Sequence, residues 1–355
     1  MKKLLATLAS GAMLLSLVGC SSASTAATAA ATEAAAATEA AAAASGKTVK
    51  VGVSIYKFDD NFMTLYRTEL QKYFGEQTDG NTYQVDIQDG KGDQAEQTNQ
   101  IDNFIQQGYD VLIINLVQST SAATVMDKCK EANIPCVFIN RQPSDDDMNK
   151  YKDDATYGGK YTYVGADARQ SGKFQGEIVA DLPNKGDLNG DGKLQYVMVQ
   201  GDPENVDAQY RTEFSISQYK EKSGLDVEQL DMQRGDWDQA KGQEIVANDL
   251  SQYGDKIECV FCNNDAMALG AAQAIEAAGR TVGKDIYLVG VDALADAISL
   301  IKAGKMTGTV YNDHVSQSHK AADAAIMAVN GEKLDQFYWV DYIKVTSDNI
   351  DTYNK

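Results

Sequence analysis

Across residues 47–355 the hydrophobic and polar positions fall into a repeating order. Apolar, β-branched runs recur at 49–56, 83–88, 111–117, 136–140, 161–165, 195–199, 257–262, 286–291 and 307–311. Between most of them lie stretches with helical periodicity, such as 62–74, 94–107, 119–132, 237–250 and 266–278. The apolar runs are continuous, not alternating, which predicts strands covered on both faces. Strands that alternate with helices predict parallel sheets with helices on either side. About ten such units exceed what one doubly wound domain holds comfortably, so the expected fold class is α/β with two doubly wound lobes.

Ahead of this pattern the chain differs in kind. Lys2 and Lys3 precede an apolar stretch, 4–18, which is short for a bilayer span and is interrupted by Ser10, Gly11 and Ser16. Followed by Leu17-Val18-Gly19-Cys20, it reads as a secretory signal peptide over residues 1–19. The last four residues resemble a bacterial lipobox, which implies cleavage before Cys20 and a lipid on its thiol. Residues 20–46, almost all Ala, Thr, Ser and Glu after the cysteine, offer no face that could bury a core and read as a tether. The formal net charge is −19, and it becomes more negative once Lys2 and Lys3 leave. Such a surface repels nucleic acid and anionic lipid, so the lipid anchor is the only membrane contact expected.

Cysteine usage adds one point. Cys259 and Cys262 sit three apart in a predicted strand and therefore point to opposite faces, which disfavours a shared metal or a bridge. Cys129 and Cys136 fall on a helix and the next strand, where a disulfide would depend on geometry. Buried free thiols are the preferred reading for all four.

Ligands of open parallel sheets bind beyond the carboxyl ends of the strands. Nearly every run here ends in Asn or Asp: Asp59-Asp60-Asn61-Phe62, Asn115, Asn140-Arg141, Asn263-Asn264-Asp265, Asp292 and Asn312-Asp313. One such residue is only a helix cap, and Asp265, Asp292 and Asp313 could each be that. A whole ring of them suits a polyhydroxylated ligand such as a pyranose. Carboxylates accept from adjacent hydroxyls while amides and guanidinium donate, and aromatic faces cover the C–H faces of the ring. Phe62 and Trp237 each stand beside such polar residues. A second cluster, residues 187–195, carries oxygen side chains at Asp187, Asn189, Asp191 and Gln195, with Gly192 at position six. That spacing matches an EF-hand calcium loop, with the Lys193 carbonyl as the seventh-position donor. Met198 occupies the twelfth position and a strand follows, so an ordinary EF-hand is excluded. A loop completed by a carboxylate from elsewhere, or an Asx-rich turn without metal, both remain.

Taken together, 51–62, 114–117, 187–195, 263–268, 290–294 and 308–313 resemble the bacterial periplasmic glucose/galactose-binding proteins, of the type I periplasmic-binding-protein family. The resemblance runs from about residue 49 to the C-terminus, in order. It implies two α/β lobes joined by a three-segment hinge: 47–135 plus 313–341 as the N-terminal lobe, 136–312 plus 342–355 as the C-terminal lobe. It implies no enzymatic activity. The sugar ligands it implies are Asp60, Phe62, Asn115, Asp207, Arg211, Trp237, Asn264, Asp292 and Asn312, with Phe62 and Trp237 sandwiching the ring. Asn205 stands where the family has a binding histidine, which places the affinity and the preference at the hydroxymethyl end in question. A structural Ca2+ is implied at Asp187, Asn189, Asp191, the Lys193 carbonyl, Gln195 and, as the remote carboxylate, Glu258. The implied partners are glucose or galactose and the permease of an ABC importer, served by a monomer held outside the cytoplasm by its lipid. A chemoreceptor or sensor kinase as listener, another monosaccharide such as ribose or xylose, and a glycosidase using Asp60, Asp207 and Asp292 are the alternatives.

Overall fold

The computed structural model describes residues 46–353. The signal peptide, Cys20 and all but the last residue of the tether lie outside the described residues. In chain order the elements are β1 (Thr48–Ile55), α1 (Asn61–Gly75), β2 (Thr82–Asp89), α2 (Gln94–Gln106), β3 (Val111–Ile114), α3 (Ala122–Ala132), β4 (Cys136–Ile139), α4 (Asp145–Asn149), β5 (Tyr161–Gly165) and α5 (Ala168–Ala180). They continue with β6 (Lys193–Gln200), α6 (Val206–Ser223), β7 (Asp226–Arg234), α7 (Gln239–Tyr253), β8 (Cys259–Cys262), α8 (Asp265–Ala277), β9 (Tyr287–Val289), α9 (Ala295–Lys302), β10 (Gly308–Tyr311), α10 (His314–Val329), β11 (Phe337–Trp339) and β12 (Ile343–Thr346).

Two six-stranded sheets result, in the orders β11-β5-β4-β3-β1-β2 and β12-β10-β9-β8-β6-β7. The pairings are parallel except β10–β12. Each sheet is covered on both faces, as the continuous apolar runs require. In β3, Val111 and Ile113 face the helices α1 and α10, while Leu112 and Ile114 face α2 and α3. The second sheet is likewise packed between α7–α9 and α5–α6. Helices approach closely where small residues allow it. A Cβ on Gly176 of α5 would stand 2.2 Å from the Ser215 carbonyl of α6.

The expected lobe boundary at 135/136 is corrected. β4 and β5 pair with the first sheet, because their runs continue the βα alternation of that lobe without a change of direction. The first crossing therefore follows Gly165; the chain crosses again after β10 and after β11. Among the described residues the four cysteines are free and buried, with Cys259 and Cys262 in the cores on opposite faces of β8. No helix among the described residues is long and apolar enough to cross a membrane.

Candidate functional site

The carboxyl ends of both sheets meet at a small cleft whose lining comes from both lobes. Helix starts build much of its wall. Asp60 caps α1, its Oδ1 accepting the Met63 N–H at 2.7 Å and its Oδ2 the Tyr56 hydroxyl at 2.6 Å. Phe62 follows in the first turn, its ring edge-on to His314 at 6.4 Å. Asn205 caps α6 by accepting the Asp207 N–H at 3.0 Å. One helical turn separates Asp207 from Arg211, so both present the same face, with 3.5 Å between Asp207 Oδ2 and Arg211 Nη2. Asn264 caps α8 and donates to the Trp237 carbonyl at 3.3 Å. The Asn312 amide donates to Asp292 Oδ1 at 3.1 Å. Capping and lining are thus two uses of the same side chains.

The backbone around the cavity is strained. Asn140, Asp236, Trp237, Asp292 and Ala293 all have positive φ, from 51° to 124°. Non-glycine residues seldom adopt such values unless the surroundings impose them, and they cluster at working sites. Trp237 is placed by this strain and by Gly201, where a Cβ would stand 2.3 Å from the indole.

Burial dominates the electrostatics. It pushes the Asp207 carboxyl up to about 6, against the opposing pull of Arg211. Burial also raises Asp292 well above the usual carboxylate range, with Arg211 again opposing. Arg211 Nη1 donates to the Asn263 carbonyl at 2.8 Å and Nη2 to the Tyr342 hydroxyl at 3.0 Å. Its Nε, and the indole Nε1 of Trp237, are buried donors with no partner among the described residues. Two cavity-lining donors therefore face the cost of burial without a hydrogen bond.

Nine of the ten residues expected to hold a sugar line this cavity. Asn115 is not part of this lining; it is fully buried beside the wall residue Asn140. Its Oδ1 accepts the Tyr56 N–H at 3.2 Å, and its amide donates to the Ile139 carbonyl and to Asn140 Oδ1. It ties the ends of β1 and β4 together. Tyr56, Asn140 and Arg141 also line the cavity, outside the ten residues named as sugar ligands. Asn140-Arg141 carried the strand-end signal that marked the others, whereas Tyr56 resembled a core aromatic.

The acidic loop lies at the other end of β6. Glu258 is 1% exposed; its Oε1 accepts from Leu188 N and Asn189 N, and its Oε2 from Gln195 N. Asp187 accepts from Gly190 N and Gly192 N, and Gln195 bridges Asn189 and Asp191. Burial raises the Glu258 pKa, and the Asp187 charge adds to it. Among the described residues, no three His, Cys, Asp or Glu side chains are gathered as a metal cluster. The oxygens of Asp187, Asn189, Asp191, Gln195 and Glu258 with the Lys193 carbonyl are nonetheless a hard, all-oxygen set, the chemistry Ca2+ prefers.

Comparison with known proteins fits this architecture. The D-galactose/methyl-galactoside binding periplasmic protein MglB of Haemophilus influenzae is 35% identical over 319 residues, 86% of this chain and 92% of its own. The ribose import binding protein RbsB of Bacillus subtilis is 27% identical, over 82% of this chain and 85% of its own. An ABC transporter solute binding protein from Bacillus halodurans, solved with bound myo-inositol, superposes with a TM-score of 0.74 at 29% identity, covering 87% and 98% of the two chains. The family model described as the periplasmic binding protein domain matches residues 51–333, and the chain belongs to that family.

Proposed function

We propose that this chain is an extracytoplasmic substrate-binding lipoprotein that captures D-glucose or D-galactose between its lobes and delivers it to an ABC importer. The observation that carries the reading is the cavity wall: carboxylates and amides, two guanidinium groups, the Phe62 and Trp237 rings, and two buried N–H donors still lacking a partner. Hydroxyl groups that both donate and accept satisfy such a wall from all sides. The relatives that bind galactosides and ribose support a sugar, and the MglB likeness favours the hexose.

The raised carboxyl groups of Asp207 and Asp292 have the protonation behaviour that a glycosidase acid would need. Their partners argue for binding instead. Asp207 lies beside Arg211 and Asp292 accepts from Asn312, so each is held for recognition. No release of product from aryl glycosides on long incubation is expected. The acidic loop would hold a structural Ca2+ through Asp187, Asn189, Asp191, the Lys193 carbonyl, Gln195 and Glu258. Cys20 would carry the lipid.

Titration calorimetry with glucose, galactose, ribose and xylose, after removal of endogenous sugar by unfolding and refolding in calcium, tests the reading. One-to-one binding of a hexose with much weaker pentoses is the expected result. Folded protein that ignores both hexoses would overturn it.

A further inference from the structure

Arg141 follows β4 in the first lobe and is 3% exposed. Its Nη1 donates to the Val117 carbonyl at 2.6 Å, which anchors it to the end of the β3 run. The same nitrogen lies 3.4 Å from Asp202 Oδ2, on the loop after β6 in the second lobe. Asp202 is itself fixed within that lobe, its Oδ1 accepting the Glu204 N–H and meeting Arg234 Nη2 at 3.4 Å. The ion pair therefore spans the cleft. It forms only when the lobes are together.

On its other side the guanidinium lies over the Tyr56 ring, 3.8 Å from the centroid, close enough for a strong cation–π contact. The Tyr56 hydroxyl donates to Asp60 Oδ2 at 2.6 Å, and Asn115 holds the Tyr56 backbone N–H. Burial keeps the phenol protonated, with the Asp60 charge adding to the effect, so it remains a donor. Asp202, Arg141, Tyr56 and Asp60 thus form one chain of contacts from the far lobe to a carboxylate of the cavity wall. We infer that Arg141 is a positioning residue that couples closure of the two lobes to the orientation of Asp60. The ligand that reads this coupling is the hexose of the preceding section, and the inference rests on that reading to this extent.

A bystander ion pair would leave the cavity indifferent to Asp202, which does not line it. A coupling device would not. The test uses the wild type, Asp202→Asn, Asp202→Glu, Tyr56→Phe and the Asp202→Asn/Tyr56→Phe double variant, each freed of endogenous sugar. Hexose affinity, dissociation rate and the sugar-free radius of gyration by small-angle scattering are measured. Asp202→Asn is expected to weaken hexose binding about three- to tenfold, the range for one partly buried ion pair. Faster dissociation and a larger sugar-free radius should accompany it, with partial recovery in Asp202→Glu. The double variant should lose less than the product of the two single losses, because both act along one chain. Unchanged affinity and radius in Asp202→Asn overturn the inference, as do single losses that simply multiply. If the wild type binds no hexose, the sugar reading falls, and the sugar-free radius of Asp202→Asn then decides the latch: expansion supports it, no change overturns it.

Discussion

At the scale of single residues, the cavity depends on side chains that do two things at once. Asp60, Asn205 and Asn264 close helix ends and line the wall, so replacing any of them mixes lost capping with lost recognition. Trp237 gives a cleaner test, because it caps nothing. Its replacement by Ala is expected to cost about 2–4 kcal/mol of sugar affinity, the range for a buried aromatic anchor; unchanged calorimetric affinity would remove it from the site. Asp207 gives a pH test. Its folded pKa, about 6, lies above the ordinary carboxylate value, so the folded chain holds a proton between about pH 4 and 6 that the unfolded chain has lost. Burial of Asp207 therefore lowers stability above about pH 6, and the penalty fades as pH falls through that window. Sugar binding should move the other way. A hydroxyl donates to the ionised carboxylate, so protonation competes, and affinity is expected to fall about tenfold between pH 7 and pH 5. An affinity flat across that range would mean that Asp207 does not accept from the ligand.

At the scale of elements, the strain in the Gly235-Asp236-Trp237 turn matters because the loop after β6 must make room for the indole. A methyl group on Gly201 would stand 2.3 Å from atoms of the Trp237 ring, so one of the two must shift. Gly201→Ala is therefore expected to weaken sugar binding by at least fivefold while leaving every polar ligand in place, as displacement of one buried aromatic implies; wild-type affinity would show that the ring can tilt freely. This dependence could not be read from sequence, where Gly201 is one glycine among many. What could be read were the nine apolar runs, each of which became a strand; in the inner strands burial on both faces writes itself as continuous hydrophobicity, while β2, at a sheet edge, is only half-buried. β7 left no such mark: it is an edge strand, largely exposed and rich in charge, as edges that resist further pairing are. The hinge-side strands β11 and β12 were too short to stand out. The lobe boundary was misplaced for a related reason. Nothing in the composition of β4 and β5 distinguishes the end of one sheet from the start of the next, and only pairing decides it. Among the site residues, strand-end Asn and Asp were legible as a ring. Asn115 carries the same signal while its amide also ties strand ends together, a structural use that the sequence does not separate from recognition.

At the scale of the whole molecule, the cavity and the acidic loop sit at opposite ends of one strand. β6 begins at the loop with Lys193 and ends at Gln200, beside the cavity, and eight residues at about 3.3 Å each separate the two by roughly 25 Å. Sugar that bridges the lobes favours the closed arrangement through contacts an open one cannot make. Calcium, if it fills the loop, acts within the second lobe alone, by offsetting the negative charge of Asp187, Asp191 and Glu258. On the proposed reading both ligands prefer the folded chain to the unfolded one, so each should raise the melting temperature. A hundredfold excess over Kd is worth about 2.7 kcal/mol, which for a chain of this size is on the order of 5 °C. The separation then makes a sharper prediction. With no shared side chains, the two stabilisations should add, so that sugar raises the melting temperature by the same amount with calcium or with chelator, while chelation leaves sugar stoichiometry near one. Scanning calorimetry with neither, either and both decides it. Equal increments keep calcium in a structural role far from recognition. A sugar increment that vanishes in chelator, with the protein still folded, would mean that β6 transmits the state of the loop to the cleft and that calcium helps to set affinity.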